Sequence, residues 1–353
     1  MIPREILIIK LGALGDVLRT TPLLRRLGGR VTWVTRREAF PLLAGNPRIE
    51  RLVPVEDGDA IRARAYDLVI NFDEDDLACR LASTVRARRR VGACLRDGAK
   101  TYCAASAPWF DMSLISRLGR ESADRLKVRG RRSYQDFLFR ACGLRFGGEE
   151  YMLPLRPARV DEHLVALERR VGPTWPAKFW TGFPELSTGL RAEGFVASTL
   201  CRRRRLEDYL EDINRCGMLV AGDTLAMHVA LALRKNVVAL FNCTSPHEIH
   251  GYGRMTKIVH KRLYEYFYRR DAVPGLSAAI PAERVLRAVR HLAASCARRG
   301  LGSIDVGDEA VHGGRRVPAE GRLSSSKIER SRTERSDHVQ AVSDQHQRLA
   351  LRR

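Results

Sequence analysis

The chain has 353 residues, of which 44% are hydrophobic and 29% are charged. This length suggests about two domains, and it allows a sizeable core without disulfides or metal. No stretch approaches the ~18 uncharged apolar residues of a membrane helix. The opening apolar run stops at Lys10, which makes it too short for a secretion signal. We therefore expect a cytoplasmic, globular protein whose eight cysteines stay reduced.

The net charge of +21 invites a nucleic-acid interpretation. However, only eight of the 62 basic residues are lysines, and such an arginine bias is what a GC-rich coding sequence produces. No recognised DNA- or RNA-binding motif is present, so we expect no nucleic-acid partner. The charge still permits contact with anionic lipid headgroups at a membrane surface.

In the first part of the chain, short apolar strands alternate with helical stretches. This alternation is typical of βαβ units and a parallel sheet. The predicted strands are residues 5–11, 31–35, 49–55 and 66–72, and the helices are 17–27, 37–44 and 133–143. The arginine-rich stretch 73–132 is less regular, and the prolines of 154–157 indicate a linker.

A second α/β region follows the linker. Its predicted helices are 160–171, 206–216, 222–233 and 281–298, and its predicted strands are 217–221, 236–241 and 256–259. Residues 300–353 contain no aromatic residue and no cysteine, which predicts disorder. The expected organisation is a domain at 1–155, a second at 159–298 and a tail at 300–353.

The first candidate site is the loop from Gly12 to Asp16, directly after a buried strand. Gly12 and Gly15 allow a tight turn into a helix, whose free amides favour an anion. The spacing matches neither the dinucleotide fingerprint nor the P-loop. Asp16 is either a helix cap or a general base at the mouth of the sheet, where ligands of α/β proteins bind.

The second candidate repeats this arrangement with Asp223, Thr224 and Leu225 at the start of a helix that carries His228. One interpretation is a capped helix with a packed histidine. The other is a diphosphate bound at the helix N-terminus, with His228 as a donor to it.

Two further segments could contact a ligand. Lys178 is flanked by two of the four tryptophans. It is either a surface lysine beside packing aromatics or a cation that neutralises a phosphate leaving group. Thr244 opens a turn after a strand, where small residues can line a ligand crevice. The spacing of His247 and His250 is not a metalloprotease motif, and we expect no metal.

Together, three motifs resemble glycosyltransferase family 9, the heptosyltransferases of lipopolysaccharide inner-core assembly. They are, in family order, ILIIKLGALGDVLRTTPLLRRL, WPAKFW and VAGDTLAMHVALALRKNVVALFNCTSPHEIHGYGR. The first and third motifs are specific, whereas the second is weak alone. The resemblance covers roughly residues 5–298.

This resemblance implies a GT-B fold, with two Rossmann-like domains facing across a cleft. The first domain would bind a lipid-linked glycan acceptor, with Gly12 and Gly15 in the acceptor-side loop. The second would bind a nucleotide-diphosphate sugar of the ADP-heptose type. The resemblance also implies inverting transfer without metal or cofactor, in which Asp16 is the base and Lys178 stabilises the departing diphosphate. The donor-binding residues would be Asp223, Thr224, Leu225, His228 and Thr244.

The donor half departs from the family pattern in two places. The strand that normally precedes the Trp-Pro segment looks shortened or lost. Only 45 positions separate Lys178 from Asp223, where the family fits a helix, a strand and another helix. The sequence thus suggests a shortened second domain that lacks one βα unit. This leaves an alternative function, a degraded or repurposed non-catalytic relative with the same fold.

Overall fold

Two open sheets organise the chain, one in each half. The computed structural model describes residues 4–300 except 159 and 274, and the side chains of 296–300 are not described. The predicted disordered tail therefore lies, apart from residue 300, outside the described residues. No helix of the described part is long and apolar enough to cross a membrane.

The first sheet has the strand order β3-β2-β1-β4-β5-β6, with only β6 antiparallel among its described strands. Its strands are β1 (Glu5–Ile9), β2 (Arg30–Thr35), β3 (Arg51–Pro54), β4 (Ala65–Asn71), β5 (Arg86–Arg96) and β6 (Ala99–Tyr102). The order of the strands reverses between β1 and β4. Ligands of such sheets bind at the carboxyl ends of the strands beside this point.

Six helices accompany this sheet in the described residues: α1 (Leu14–Thr20), α2 (Gly58–Arg62), α3 (Asp76–Thr84), α4 (Ala107–Phe110), α5 (Arg120–Arg129) and α6 (Tyr134–Ala141). The helix predicted over 17–27 is divided in two. After α1 the chain tightens into a 3-10 turn at Thr21–Arg25, where Pro22 occupies the start of the turn. A proline is favourable at that position because the first amides of a helix have no partner within the helix, so the missing N–H of proline costs nothing.

The second sheet is entirely parallel in its described strands, with the order β11-β10-β9-β7-β8. Its strands are β7 (Asp161–Glu168), β8 (Val196–Thr199), β9 (Cys216–Gly222), β10 (Asn236–Phe241) and β11 (Met255–Val259). Its helices are α7 (Phe183–Ala192), α8 (Leu206–Asn214), α9 (Leu225–Ala232) and α10 (Ala282–Gly300). Here the order reverses between β7 and β9, again marking a ligand crevice.

The helix predicted over 160–171 is wrong, because this segment forms strand β7. Val165 to Leu167 lie inside the sheet, where β7 pairs with both β8 and β9. The segment is rich in leucine, alanine and glutamate, which favour a helix in isolation. The strand thought to be shortened or lost before the Trp-Pro segment is therefore present.

The interval between Lys178 and Asp223 also holds the elements that looked missing. Helix α7, strand β8 and helix α8 fill it in that order. Strand β8 has only four residues and lies at the edge of the sheet, so its sequence has too little hydrophobic pattern to predict a strand. The expectation that one βα unit is lacking is wrong.

One hydrophobic cluster joins the two halves. It contains Ile8 and Leu18 of the first half together with Met227 and Phe241 of the second, all of them buried. Helices α1 and α9 are in contact across this junction. The carboxyl ends of β1 and β9 lead directly into these two helices, so the two candidate loops meet beside the shared core.

Candidate functional site

A buried ion pair spans the carboxyl ends of β1 and β4 in the first sheet. Lys10 donates to the Asp73 carboxylate and, at 2.7 Å, to the carbonyl of Gly12. Asp73 also accepts from the amide of Leu11. Burial alone would lower the pKa of Lys10, but the negative charges of Asp73 and Asp16 outweigh burial and raise it. The pair thus fixes the start of the candidate loop and keeps a positive charge beneath it.

Asp16 lies in the first turn of α1 and is not a helix cap, since the cap position is Ala13. Its Oδ1 atom lies 2.9 Å from Nε of Arg19, and 37% of its side chain remains exposed. Burial would raise the pKa of Asp16, but Arg19 and Lys10 outweigh it and lower the pKa. Asp16 is therefore an ionised, accessible carboxylate, as a general base must be.

Arg19 is held above two aromatic rings. Its guanidinium carbon lies 4.1 Å from the centroid of the Tyr134 ring and 5.9 Å from that of Trp109. Such cation–π contacts restrict a long side chain. Arg19 is mostly buried and fixed beside Asp16, where it holds the carboxylate in one orientation.

In the second sheet, Lys178 and Asp223 form an ion pair at the crevice between β7 and β9. Nζ of Lys178 donates to Oδ2 of Asp223 at 2.9 Å and to its backbone carbonyl at 2.7 Å. Burial would raise the pKa of Asp223, but Lys178 outweighs it and lowers the pKa strongly. An ammonium group has three hydrogens, and these two bonds leave one for a ligand oxygen.

Three side chains beside this ion pair carry buried polar atoms without a hydrogen-bond partner among the described residues. They are Oγ1 of Thr224, Oδ1 of Asn242 and Oγ1 of Thr244. Thr224 follows β9, and the other two follow the neighbouring strand β10. Buried polar atoms normally find partners, so unpaired ones at a sheet edge where ligands bind indicate groups that a ligand would satisfy.

His228 connects the two loops. It is 4% exposed, and its Nδ1 atom hydrogen-bonds the hydroxyl of Tyr151 at 2.9 Å. A Cβ atom on Gly15 would lie 2.8 Å from Cδ2 of this ring. Burial, together with the positive charge of Arg19, lowers the pKa of His228 to about 4, so the ring is neutral at neutral pH.

The structure thus brings together most of the residues predicted from the sequence. Asp16, Asp223 and His228 lie close enough for their charges to influence each other's pKa values. Thr224 occupies the cap position of α9 without a side-chain cap bond, and Leu225 is the first residue of that helix. Trp180, in contrast, belongs to the core, where its indole donates to the carbonyl of Ile280 at 2.8 Å.

Five residues of this site were missed in the sequence: Lys10, Arg19, Asp73, Tyr151 and Asn242. Lys10 and Asp73 did carry a signal, because each is a charged residue directly following an apolar strand whose carboxyl end faces the site. Tyr151 gave none, since its role depends on a contact with His228, 77 positions away. Among the described residues, no group of three or more His, Cys, Asp or Glu side chains could hold a metal ion.

Comparison with known proteins supports the resemblance stated from the motifs. The family model "Glycosyltransferase family 9 (heptosyltransferase)" matches residues 183–272, which include Asp223, His228 and Thr244. No curated protein sequence matches the chain at a significant level. The resemblance to this family is confirmed over residues 183–272, and the match supports a glycosyltransferase.

Solved structures extend the likeness to both halves. A family 9 glycosyltransferase from Veillonella parvula is 18% identical, with a TM-score of 0.59 over 83% of this chain and 97% of its own. The E. coli ADP-heptose lipopolysaccharide heptosyltransferase II is 17% identical, with a TM-score of 0.54 over 83% and 99%. E. coli heptosyltransferase WaaC, solved with ADP-2-deoxy-2-fluoro heptose, is 16% identical, with a TM-score of 0.52 over 81% and 99%. The predicted GT-B fold with two Rossmann-like halves is confirmed.

Proposed function

We propose that the protein is an inverting glycosyltransferase that moves a heptose-like sugar from a nucleotide-diphosphate donor to a hydroxyl of a lipid-linked glycan. The observation that carries the proposal is the pair of charged loops facing each other. One presents the ionised Asp16, and the other presents Lys178 and Asp223 beside unpaired hydroxyls. The ADP-heptose and lipopolysaccharide details rest on the names of the E. coli neighbours.

The proposed reaction is a single displacement. The acceptor hydroxyl gives its proton to Asp16, and its oxygen forms a bond to the anomeric carbon of the sugar. The bond from that carbon to the diphosphate oxygen breaks, and its electron pair leaves with the diphosphate. Attack from the face opposite the leaving group inverts the configuration. Removing the hydroxyl proton in this way typically contributes 10²–10⁴-fold to a rate.

The leaving diphosphate needs positive charge, which the chain can supply without a metal. Lys178 has one ammonium hydrogen to offer, and the N-terminal amides of α9 follow Thr224 directly. A helix N-terminus and a charged donor both stabilise an anion. We therefore propose transfer that needs neither metal nor cofactor, and we expect EDTA to leave the rate unchanged. If EDTA abolished activity and a divalent cation restored it, the proposal of metal-independent transfer would be contradicted.

Titration calorimetry with ADP, UDP and GDP tests the donor half directly. We expect one nucleotide to bind, and Lys178→Met to weaken it by about tenfold or more because a charge-assisted hydrogen bond is lost. Lys261→Met, at an exposed lysine, is the matched control. A folded protein that binds none of the three nucleotides would overturn the proposal.

A transfer assay then tests the acceptor. The assay offers the sugar of the bound nucleotide and a truncated lipopolysaccharide core, and product is detected by mass spectrometry. The alternative of a non-catalytic relative depended on segments that look missing from the second half and on the aromatic-free tail at residues 300–353. Strands β7 and β8 remove the first reason. The alternative is an outcome of this assay, namely nucleotide binding without transfer.

A further inference from the structure

Exposed leucines concentrate in one segment of the first half. Among the described residues, seven large hydrophobic side chains are exposed, and three of them lie within 13 positions: Leu114, Leu118 and Leu126. Leu114 is 67% exposed and Leu118 is 53% exposed. Single exposed leucines need no explanation, but a group of them indicates a surface that something covers.

The protein backbone around these leucines is firmly held. Met112 and Ala123 are buried on either side of Leu114 and Leu118. The Tyr102 hydroxyl accepts from the amide of Arg117 at 2.9 Å and donates to Asp111 at 2.5 Å. Leu114 and Leu118 are therefore exposed on a loop that hydrogen bonds hold in place, and Leu126 is exposed on α5.

The same segment is strongly basic. Residues 112–132, which we call the leucine–arginine segment, contain seven basic and two acidic residues. Both acidic residues, Glu121 and Asp124, are paired within the segment. Arg129 is exposed and has no ion-pair partner among the described residues. Exposed leucines beside unneutralised arginines are complementary to an anionic lipid surface, which supplies both an apolar layer and negative headgroups.

The segment also borders the candidate site. A cavity of about 380 Å³ is lined by Leu114, Arg120 and Lys127 of the segment and by Trp175 and Tyr268 of the second half. The Trp175 ring centroid lies 5.2 Å from Nζ of Lys178. A membrane on the segment would therefore place lipid headgroups next to the mouth of the cleft.

We infer that the leucine–arginine segment docks the protein on an anionic bilayer, with Leu114 and Leu118 entering the interface and the arginines contacting the headgroups. The occupant is a lipid surface because the segment offers apolar side chains and positive charge together. The inference extends the proposed function by naming the face through which a lipid-linked acceptor would be reached, but its test involves no sugar transfer.

The test is co-sedimentation of the full chain with vesicles of phosphatidylcholine containing phosphatidylglycerol, and with vesicles of phosphatidylcholine alone. We expect binding only to the anionic vesicles. The double substitution Leu114→Ser with Leu118→Ser should reduce the partition coefficient by at least about tenfold. Arg129→Gln should reduce it by about fivefold, with a smaller effect at high salt.

Two controls of the same chemistry lie in the second half. Val196→Ser removes an apolar side chain that is 54% exposed, and Arg191→Gln removes an exposed arginine at the end of α7. Neither should change vesicle binding, and circular dichroism shows whether each variant is folded. Absence of binding to anionic vesicles, or equal losses in the controls, would overturn the inference. A failed transfer assay would leave it standing, because the vesicles carry no acceptor.

Discussion

Asp16 combines accessibility with an environment that keeps it ionised. Arg19 and Lys10 lower its pKa, while more than a third of the side chain stays exposed. We expect Asp16→Asn to reduce kcat by about 10²–10⁴-fold, since the amide cannot accept the acceptor proton. Nucleotide affinity should hardly change, because the substitution lies in the other loop.

Asp59→Asn is the matched control for this prediction. Asp59 is an exposed carboxylate that pairs with an arginine three positions away, as Asp16 does. The measurement is the initial rate of sugar transfer by each variant, compared with that of the wild type. Near-normal turnover by Asp16→Asn would show that the proton leaves by another route.

His228 makes stability depend on pH. Its pKa is about 4 in the folded protein, against 6.5 for an ordinary histidine. Between these two pH values the unfolded chain binds a proton that the folded protein excludes, so stability is complete above about pH 6.5 and falls as the pH approaches 4. The linkage amounts to roughly 3 kcal/mol.

Urea denaturation at a series of pH values tests this. We expect His228→Asn to be less stable than the wild type at neutral pH and to lose less stability between about pH 6.5 and pH 4. His163→Asn, at an exposed histidine, should keep the steep wild-type dependence. Identical pH profiles for His228→Asn and the wild type would contradict the assignment.

Individual side chains of the site were predictable from the sequence where they follow an apolar strand. Asp16 and Asp223 stand just beyond β1 and β9, and the carboxyl ends of parallel strands face the ligand. The contacts that hold these groups in place were not predictable. Arg19 lies three positions from Asp16 in the same helix, but its contact with the Tyr134 ring and the hydrogen bond between Tyr151 and His228 join elements that are remote in the chain. No local spacing encodes such contacts.

Helices α1 and α9 pack closely because Gly15 has no side chain. Helix propensity alone favours alanine over glycine by about 1 kcal/mol. Here the added methyl group would meet the His228 ring at 2.8 Å, and that ring is buried and bonded to Tyr151. We therefore expect Gly15→Ala to destabilise the protein by about 1–3 kcal/mol and to reduce transfer, because it displaces the helix that carries Asp16.

Gly28→Ala is the control, since a Cβ at Gly28 would meet no atom within 4 Å. Chemical denaturation of both variants measures the free energy of unfolding. A Gly15→Ala protein as stable as the wild type would show that the two helices can separate without cost.

The elements themselves were predicted unevenly. The strands β1, β4, β9 and β10 were found because they are short, apolar and buried. Strand β5 was hidden in an arginine-rich stretch, because its first half is largely exposed and offers no hydrophobic pattern. Strand β7 was mistaken for a helix because leucine, alanine and glutamate are good helix formers. Its pairing with two neighbouring strands overrides this propensity.

The two halves share one core, and polar contacts reinforce the junction. The carboxylate of Glu150 accepts from the guanidinium of Arg254, and the Tyr252 hydroxyl donates to the carbonyl of Glu149 at 3.2 Å. We expect calorimetry to record one unfolding transition for the described part of the chain. A separable pair of domains would instead unfold in two steps.

Addition of the nucleotide identified by titration provides the control. It should move the whole transition to higher temperature, because a ligand of the folded state stabilises everything that unfolds with it. Two resolved transitions, of which the nucleotide moves only one, would contradict a shared core.

The junction of Gly15, His228 and Tyr151 also limits how such a protein can be recombined. One member comes from the start of the chain, one from the second sheet and one from the segment that connects the sheets. In a chimera that takes either half from a relative, helices α1 and α9 keep their close packing only if the three residues are exchanged together. Under the proposed function, the acceptor-binding and donor-binding halves of this protein would therefore have to change together rather than be exchanged as independent modules.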